Sequence, residues 1–150
     1  MRIDKVNYYL DIAETVGKRG TCLRRNYGAV ITNAKEIVSI GYSNVPKHCR
    51  PCNEVGCKRT QLNIPSGERY ELCRSVHAEQ HALIHANPYL LKGSTLFLVG
   101  INSDKELLEK PFVCDICKKL LVDAGVSKVI ILPASLRPIY EDVDTYVSQI

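Results

Sequence analysis

The chain has 150 residues, of which 45% are hydrophobic and 24% are charged, a composition typical of a globular domain. No stretch approaches the roughly 20 apolar residues of a membrane helix, and the first residues lack the apolar core of a signal peptide. The net charge of +4 would suit an anionic ligand, but it does not by itself indicate nucleic-acid binding. We therefore expect one cytoplasmic domain over residues 1–150, with no membrane partner.

The first half of the chain predicts a helix followed by a β-hairpin. Residues 4–17 place apolar side chains at helical spacing. Two runs rich in β-branched residues, 28–32 and 36–42, flank the short turn at 33–35 and are typical of paired strands. Regular patterning then stops over residues 43–66, a segment too long for a plain connection inside a compact domain.

The second half of the chain predicts alternating helices and strands. The predicted elements are a helix over 77–86, a strand over 95–99, a helix over 114–124, a strand over 126–132 and a weak helix over 140–150. Strands that alternate with helices favour parallel pairing through helical crossovers. The hairpin in the first half makes the whole sheet mixed.

Cysteine is the most informative residue type in this sequence. There are seven cysteines, and an odd number in a chain without an export signal argues against a disulfide framework. Three of them lie in the unpatterned segment 43–66, together with three prolines. We therefore expect a metal to organise this segment.

One candidate metal site combines His77 with Cys114 and Cys117. Cysteines three residues apart on the first turn of a helix project side by side, so both sulfur atoms can reach one ion. Three protein ligands on zinc leave a fourth position open for water, which is typical of a catalytic site. Glu79, two residues after His77, is predicted to move protons at that position.

Neither motif is specific when it is taken alone. A Cys-x-x-Cys pair also occurs in redox proteins, and a zinc site can be purely structural, although structural sites usually close with four protein ligands. Together the two motifs match the zinc deaminase signature, His-x-Glu followed by Pro-Cys-x-x-Cys.

The chain resembles the deoxycytidylate (dCMP) deaminase branch of the cytidine deaminase superfamily. The segments that carry the resemblance are TCLRRNYGAVI from Thr21, GYSNVP from Gly41, SGERYELCRSVHAEQ from Ser66 and CDICKKLLVDAGVSKV from Cys114. The resemblance implies an α/β fold in three layers, with a mixed five-stranded sheet flanked by helices. It also implies a homo-oligomer, often a hexamer, and a free nucleotide as substrate.

The implied reaction is hydrolytic deamination of dCMP to dUMP and ammonia. In the family, the glutamate at the position of Glu79 takes a proton from water at the zinc, delivers it to N3 of the base and protonates the leaving amino group. The backbone amide at the position of Ala78 helps to orient the pyrimidine.

The chain departs from the family pattern at three places. Val113 stands where proline usually precedes the first cysteine. The family asparagine that contacts the sugar is replaced by Ser43, so either Ser43 or the displaced Asn44 is expected to serve, or the sugar preference differs. His81 replaces an asparagine near the pocket. The last two changes border the substrate rather than the metal.

We expect a cationic side chain to bind the negatively charged phosphate of the substrate. The resemblance places Arg137 near it, with Arg24, Arg74 and Lys118 as alternatives. An exposed arginine without a role is the competing interpretation for each of them.

A second, structural zinc site is the further expectation. The positions that best match family members with such a site are Cys22, Cys49, Cys57 and Cys73, and His48 or Cys52 can replace one of them. Four thiolates would close a tetrahedral site and hold the long segment against its neighbours. Buried or free thiols are the alternative interpretation.

Three functions compete at this point. The first is a deaminase of dCMP or of another free cytosine nucleoside or nucleotide. The second is an editing deaminase of tRNA or single-stranded DNA, which would need a basic and aromatic channel; a chain with 7% aromatic residues and no tryptophan makes this less favoured. The third is a zinc module without activity. Regulation by dCTP and dTTP, known for some relatives, is expected to be altered because residues 41–44 differ.

Overall fold

A mixed five-stranded sheet with the strand order β2-β1-β3-β4-β5 forms the centre of the fold. The computed structural model describes residues 1–150. The strands are β1 (Arg25–Asn33), β2 (Glu36–Tyr42), β3 (Thr95–Asn102), β4 (Lys128–Leu132) and β5 (Ile139–Asp142). β3 and β4 are parallel, whereas all other neighbours are antiparallel. The predicted mixed α/β sheet is confirmed.

Five α-helices accompany the sheet. They are α1 (Lys5–Gly17), α2 (Cys52–Val55), α3 (Lys58–Gln61), α4 (Ala78–Ile84) and α5 (Asp115–Ala124). Short 3-10 helices occupy Tyr70–Leu72, Pro88–Leu90 and Val143–Gln149. None of the helices has the length and apolar character that crossing a membrane requires.

The two faces of the sheet are covered by different helices. Successive side chains of a strand point to opposite faces, so Val30 of β1 packs against α1, while Ala29 and Ile31 face α4 and α5. The same alternation continues along β3 and β4. Burial on both faces explains why these strands read as continuous apolar runs in the sequence.

The predicted hairpin and helices lie where expected, within a few residues. The hairpin turn carries Ala34 and Lys35 at positive φ, which matches the twist of the flanking strands. Asp4 caps α1 by accepting a hydrogen bond from the backbone N–H of Asn7 at 2.9 Å. Gly125 ends α5 in the left-handed conformation, at φ 87°.

Two expectations of secondary structure need correction. The segment 43–66 is not wholly irregular, because it contains the one-turn helices α2 and α3. The weak helix expected over 140–150 begins instead as β5, and only the following residues form a 3-10 helix. β5 pairs with the free edge of β4, a tertiary contact that its mostly exposed side chains do not reveal in the sequence.

Gly41 lets α4 lie unusually close to β2. A Cβ atom added at Gly41 would be 2.4 Å from the Ala82 nitrogen and 2.5 Å from the Ala78 oxygen, both of which belong to the helix backbone. No side chain fits in that space. This close approach fixes the position of the first turn of α4, which carries Glu79.

Candidate metal and catalytic centre

Three metal-ligand side chains converge at the first turns of α4 and α5. His77 precedes α4, Cys114 precedes α5, and Cys117 lies one turn further along α5. The Nδ1 atom of His77 is 3.4 Å from each of the two sulfur atoms, and all three ligand atoms lie within 4.8 Å of one another. One ion can therefore contact all three, as the sequence spacing predicted.

The donor set fits zinc. One imidazole nitrogen and two thiolates are ligands that zinc takes in proteins, and three protein ligands leave one position free. Both cysteines are buried, whereas His77 is partly exposed towards a cavity. The open side of the site therefore faces space that a substrate can occupy.

Hydrogen-bonding protons within the centre shift the pKa values of its three ligand groups. The hydrogen bond from Cys117, together with the contact with His77, lowers the pKa of Cys114 to about 4. The same sulfur–sulfur contact, together with burial, raises the pKa of Cys117. The hydrogen bond with Cys114 raises the pKa of His77. Metal binding would displace these protons, so affinity for the metal is expected to fall in acid.

Glu79 is the one buried carboxylate of this centre. Its side chain lies on the first turn of α4 and the residue is only 4% exposed. Burial raises the pKa of Glu79, because a low-dielectric surrounding disfavours the charged carboxylate. A carboxyl group with a raised pKa beside a metal site is suited to accept and return a proton near neutral pH.

A cavity of about 100 Å³ opens over this centre. His77, Ala78, Glu79 and Cys114 form one part of its wall. The other part is polar and basic, with contributions from the strand β1 and from the segment 45–75 that follows β2. These residues are Cys22, Arg24, Arg25, Tyr27, Ser43, Arg59, Tyr70, Cys73, Ser75 and Phe112.

Residues 3–133 match a family model, the cytidine and deoxycytidylate deaminase zinc-binding region. The chain belongs to this family. Family membership and the His77, Cys114 and Cys117 cluster together support zinc as the metal.

Individual relatives are distant. The deoxycytidylate deaminase of Schizosaccharomyces pombe is 31% identical over 80 residues, which is 53% of this chain and 25% of that protein. The deoxycytidylate deaminase of Mycobacterium phage D29 is 27% identical over 133 residues, covering 86% of this chain and 94% of that protein. The chain therefore spans a quarter of the yeast protein and nearly all of the phage protein.

The fold is shared with a solved structure. The dCMP deaminase from the cyanophage S-TIM5, in complex with dCMP and dUMP, superposes with a TM-score of 0.57 at 22% identity. The similarity covers 87% of this chain and 82% of the phage chain. It supports the α/β deaminase-like architecture of the sheet and its flanking helices.

Ser43 and Asn44, the two candidates for the sugar contact, lie in different surroundings. Ser43 is buried in the cavity wall, where its hydroxyl accepts a hydrogen bond from the backbone N–H of Tyr27 at 3.0 Å. The side-chain oxygen of Asn44 instead accepts hydrogen bonds from the Thr21 hydroxyl and the Val45 N–H, each at 2.9 Å. Of the two, only Ser43 borders the cavity.

His81 lies outside the catalytic cavity. Its Nδ1 atom is 3.1 Å from the backbone nitrogen of Tyr42, and its ring is in edge contact with the rings of Tyr42 and His85. These residues border a separate groove that also includes Asn44 and His48. The expectation that His81 lies beside the substrate is therefore not met in this arrangement.

The predicted phosphate contact also lies elsewhere. Arg137 is exposed in the loop between β4 and β5 and does not border the cavity. Of the alternatives, Arg24 borders it, whereas Arg74 is exposed and Lys118 donates a hydrogen bond to Gln149 at 2.8 Å. The assignment of Arg137 to the phosphate therefore stays a prediction from the resemblance, without support from the cavity wall.

The sequence analysis missed several residues of the cavity wall, among them Tyr27, Arg59 and Phe112. Tyr27 accepts a hydrogen bond from the Phe112 N–H at 3.4 Å, and burial raises the pKa of Tyr27. Arg59 lies in the segment where sequence periodicity is absent. Tyr27 lies in a segment of family resemblance and Phe112 lies beside one, whereas no sequence signal pointed to Arg59.

The cysteines of the expected second site are only partly brought together. No three of their sulfur atoms lie within 4.8 Å of one another. Cys49 is exposed and borders the groove with His48. Cys52 is buried, and besides burial, the charges of Cys22, Cys73 and Cys57 raise the pKa of its thiol. The thiol of Cys52 is therefore within electrostatic range of those three cysteines.

Proposed function

We propose that this protein hydrolytically deaminates a pyrimidine nucleotide, converting dCMP and water to dUMP and ammonia. The observation that carries the proposal is the buried Glu79 beside the convergent His77, Cys114 and Cys117. Burying a carboxyl group costs stability, so a buried Glu79 beside three metal-ligand side chains indicates a role in chemistry. The names of the yeast and phage relatives supply the substrate.

The residues of the chain would divide the reaction between them. A zinc ion at the three-ligand site would supply a Lewis acid that lowers the pKa of water towards about 7. The Glu79 carboxylate would accept a proton from the attacking water and pass it to N3 of the pyrimidine. Glu79 would then take the second proton of that water, now on the hydroxyl added at C4, and give it to the amino group, so that the C4–N bond breaks, the C4 carbonyl forms and ammonia leaves.

Binding of the base involves the start of α4. The backbone N–H of the first helical residue, Ala78, has no partner within the helix, and Ala78 borders the cavity. This N–H is therefore available to the base, as the resemblance implied. The Ser43 hydroxyl in the cavity wall is proposed to contact the sugar.

A second zinc ion is proposed on Cys22, Cys52, Cys57 and Cys73. The burial of Cys52 and its closeness to the other three favour Cys52 over the exposed Cys49 that the sequence suggested. The sulfur atoms would need to move together on binding, which is usual where metal binding is coupled to folding. Thiolate ligands also suit a reducing compartment such as the cytoplasm.

The quaternary state and the regulation are proposed from the resemblance together with one surface. Val76, Leu83, Leu91 and Leu120 border an open apolar groove beside α4 and α5. A further copy of the chain would cover it in a homo-oligomer. Control by dCTP and dTTP is expected to be weak, since Asn44 of the altered 41–44 segment is bonded within the chain.

An assay panel with a zinc count tests the proposal. Ammonia release would be measured from dCMP, CMP, dCTP, deoxycytidine, cytidine and a cytosine-containing single-stranded oligonucleotide. We expect turnover of dCMP and about two zinc ions per chain. Turnover of the oligonucleotide alone would establish an editing deaminase instead, and zinc without turnover of any compound would contradict a deaminase function.

A further inference from the structure

Arg59 is a buried arginine without an acidic partner. The residue is 6% exposed and lies on α3, within the segment 45–75. One terminal nitrogen of its guanidinium donates to the Pro65 carbonyl at 3.1 Å, and its Nε–H has no hydrogen-bond partner. The guanidinium carbon lies 4.9 Å from the ring centre of Tyr70.

The burial of Arg59 without an acidic partner needs an explanation. Arginine is almost never buried unless it is paired, and a buried charge without a partner carries a large desolvation cost. The ion pairs of this structure involve other residues, and none of them includes Arg59. Buried donors without a partner are rare in native proteins, and a functional role, such as contact with a bound water, ion or ligand, is one explanation for them.

Arg59 borders the same cavity as His77 and Glu79. Two further arginines, Arg24 and Arg25, lie in the same wall, so this side of the cavity is basic. Among the residues around it, Glu79 is the only acidic one. A ligand that reaches from the metal centre to this wall would meet positive charge at its far end.

The three arginines are not equivalent. Arg24 donates to the Thr60 hydroxyl at 3.2 Å, and Arg25 donates to the Ser66 hydroxyl at 2.8 Å. The guanidinium groups of Arg24 and Arg25 therefore each have a hydrogen-bond partner in the segment 45–75. Arg59 keeps a free Nε–H in a water-poor position, where a charge-assisted hydrogen bond is strongest.

We propose that Arg59 binds the phosphate of the nucleotide substrate and thereby selects a nucleotide over a nucleoside. The guanidinium fork matches phosphate geometry with two parallel hydrogen bonds, and the unpaired Nε–H is one of the two donors needed. The inference rests on the proposed function, because it names the group of that substrate which the basic wall recognises. It makes the segment 45–75 part of the substrate site.

A structural role makes different predictions from a role in binding. If Arg59 only held Pro65 and Tyr70 in place, its replacement would weaken binding of nucleotide and nucleoside alike. If Arg59 binds the phosphate, only ligands with a phosphate are affected. The matched control is Arg50, an exposed arginine of the same segment that pairs with Glu54 at 3.5 Å.

The experiment compares dUMP and deoxyuridine as ligands of the zinc-loaded full chain. Dissociation constants would be measured by calorimetry for the wild type, Arg59→Gln, Arg59→Lys and Arg50→Gln. We expect Arg59→Gln to weaken dUMP binding by about 10- to 100-fold, as for loss of a hydrogen bond to a charged group, and to leave deoxyuridine unchanged. Arg59→Lys should give an intermediate value, and Arg50→Gln should match the wild type.

Several results would overturn the proposal. Equal weakening of dUMP and deoxyuridine, or unchanged dUMP binding in Arg59→Gln, contradicts a phosphate contact. So does a wild type that binds deoxyuridine as tightly as dUMP. If Arg59→Gln does not fold, Arg59→Lys takes its place. Weaker binding of dUMP alone then supports the phosphate contact, and equal weakening of dUMP and deoxyuridine contradicts it. The proposed deamination fails separately, by absence of ammonia release from a wild type that still binds dUMP through Arg59.

Discussion

His77, Cys114 and Cys117 lie at the starts of two helices that pack on the sheet, whereas Cys22, Cys52, Cys57 and Cys73 surround a segment with two one-turn helices. The ligand atoms of the first set lie within 4.8 Å of one another, and no three sulfur atoms of the second set do. Packing of regular elements therefore brings the catalytic ligands together, whereas the proposed second set would depend on the metal for its final geometry.

The largest expected effect is a loss of turnover on replacement of Glu79, with no loss of stability. Glu79→Gln should lower kcat by about 10²- to 10⁴-fold, the usual contribution of a general acid–base. The amide fills the same space and removes a buried carboxylate, so the melting temperature and the zinc content should not fall. Ammonia release from dCMP, a zinc assay and thermal denaturation would check this, and normal turnover would refute the role of Glu79.

Removal of the metal tests whether the catalytic centre and the segment 45–75 depend differently on zinc for their order. Treatment with a chelator should abolish activity and leave the far-UV circular dichroism of the sheet largely intact. Trypsin should then cut the segment 45–75 faster, at Lys47 and Lys58, because the proposed second site no longer holds it. Global unfolding on chelation would show that the two regions are not ordered independently.

A pair of cysteine variants tests which residue completes the second site. Cys52→Ser should reduce the zinc content by about one ion per chain, whereas Cys49→Ser, the exposed neighbour, should keep it. Zinc analysis of the two purified variants and tryptic digestion provide the readout. The reverse result would restore the cysteine assignment that the sequence suggested.

The smallest effect concerns the packing that holds the catalytic centre. Gly41→Ala places a methyl group against the backbone of Ala78 and Ala82, and overpacking of this kind costs about 1–3 kcal/mol. Chemical denaturation would measure the loss. Ile40→Ala, at a neighbouring position with a side chain that is 47% exposed, is the control and should cost less.

The sequence predicted those parts of the molecule whose signals are local. Ala29, Val30 and Ile31 lie in a buried strand, and the apolar run shows it. The ligands His77, Cys114 and Cys117 were predictable because His77 and Cys114 directly precede helices and Cys117 follows Cys114 at the spacing of one helical turn. The second set of cysteines stays a prediction, and the sequence alone does not reveal that Cys52 is buried whereas Cys49 is exposed.

The remaining features depend on contacts between distant parts of the chain. β5 forms because β4 offers a free edge, not because its own residues alternate. Arg59 reaches the cavity through the fold of a segment without periodicity, so no pattern pointed to it. Arg137 was chosen by alignment beyond the last well-matched strand, where a short loop is enough to move a side chain to the surface.

The backbone bridge between Asn44 and Val76 has a consequence for how such proteins diversify. The two residues exchange hydrogen bonds of 3.2 and 2.7 Å, so the chain leaves and re-enters the sheet-and-helix scaffold at one point. The two ends of the segment 45–75 are therefore held together by backbone hydrogen bonds. Because each doubling of a loop's length costs only about 0.6 kcal/mol in closure entropy, segments of different length can connect these two residues while the catalytic ligands stay in place.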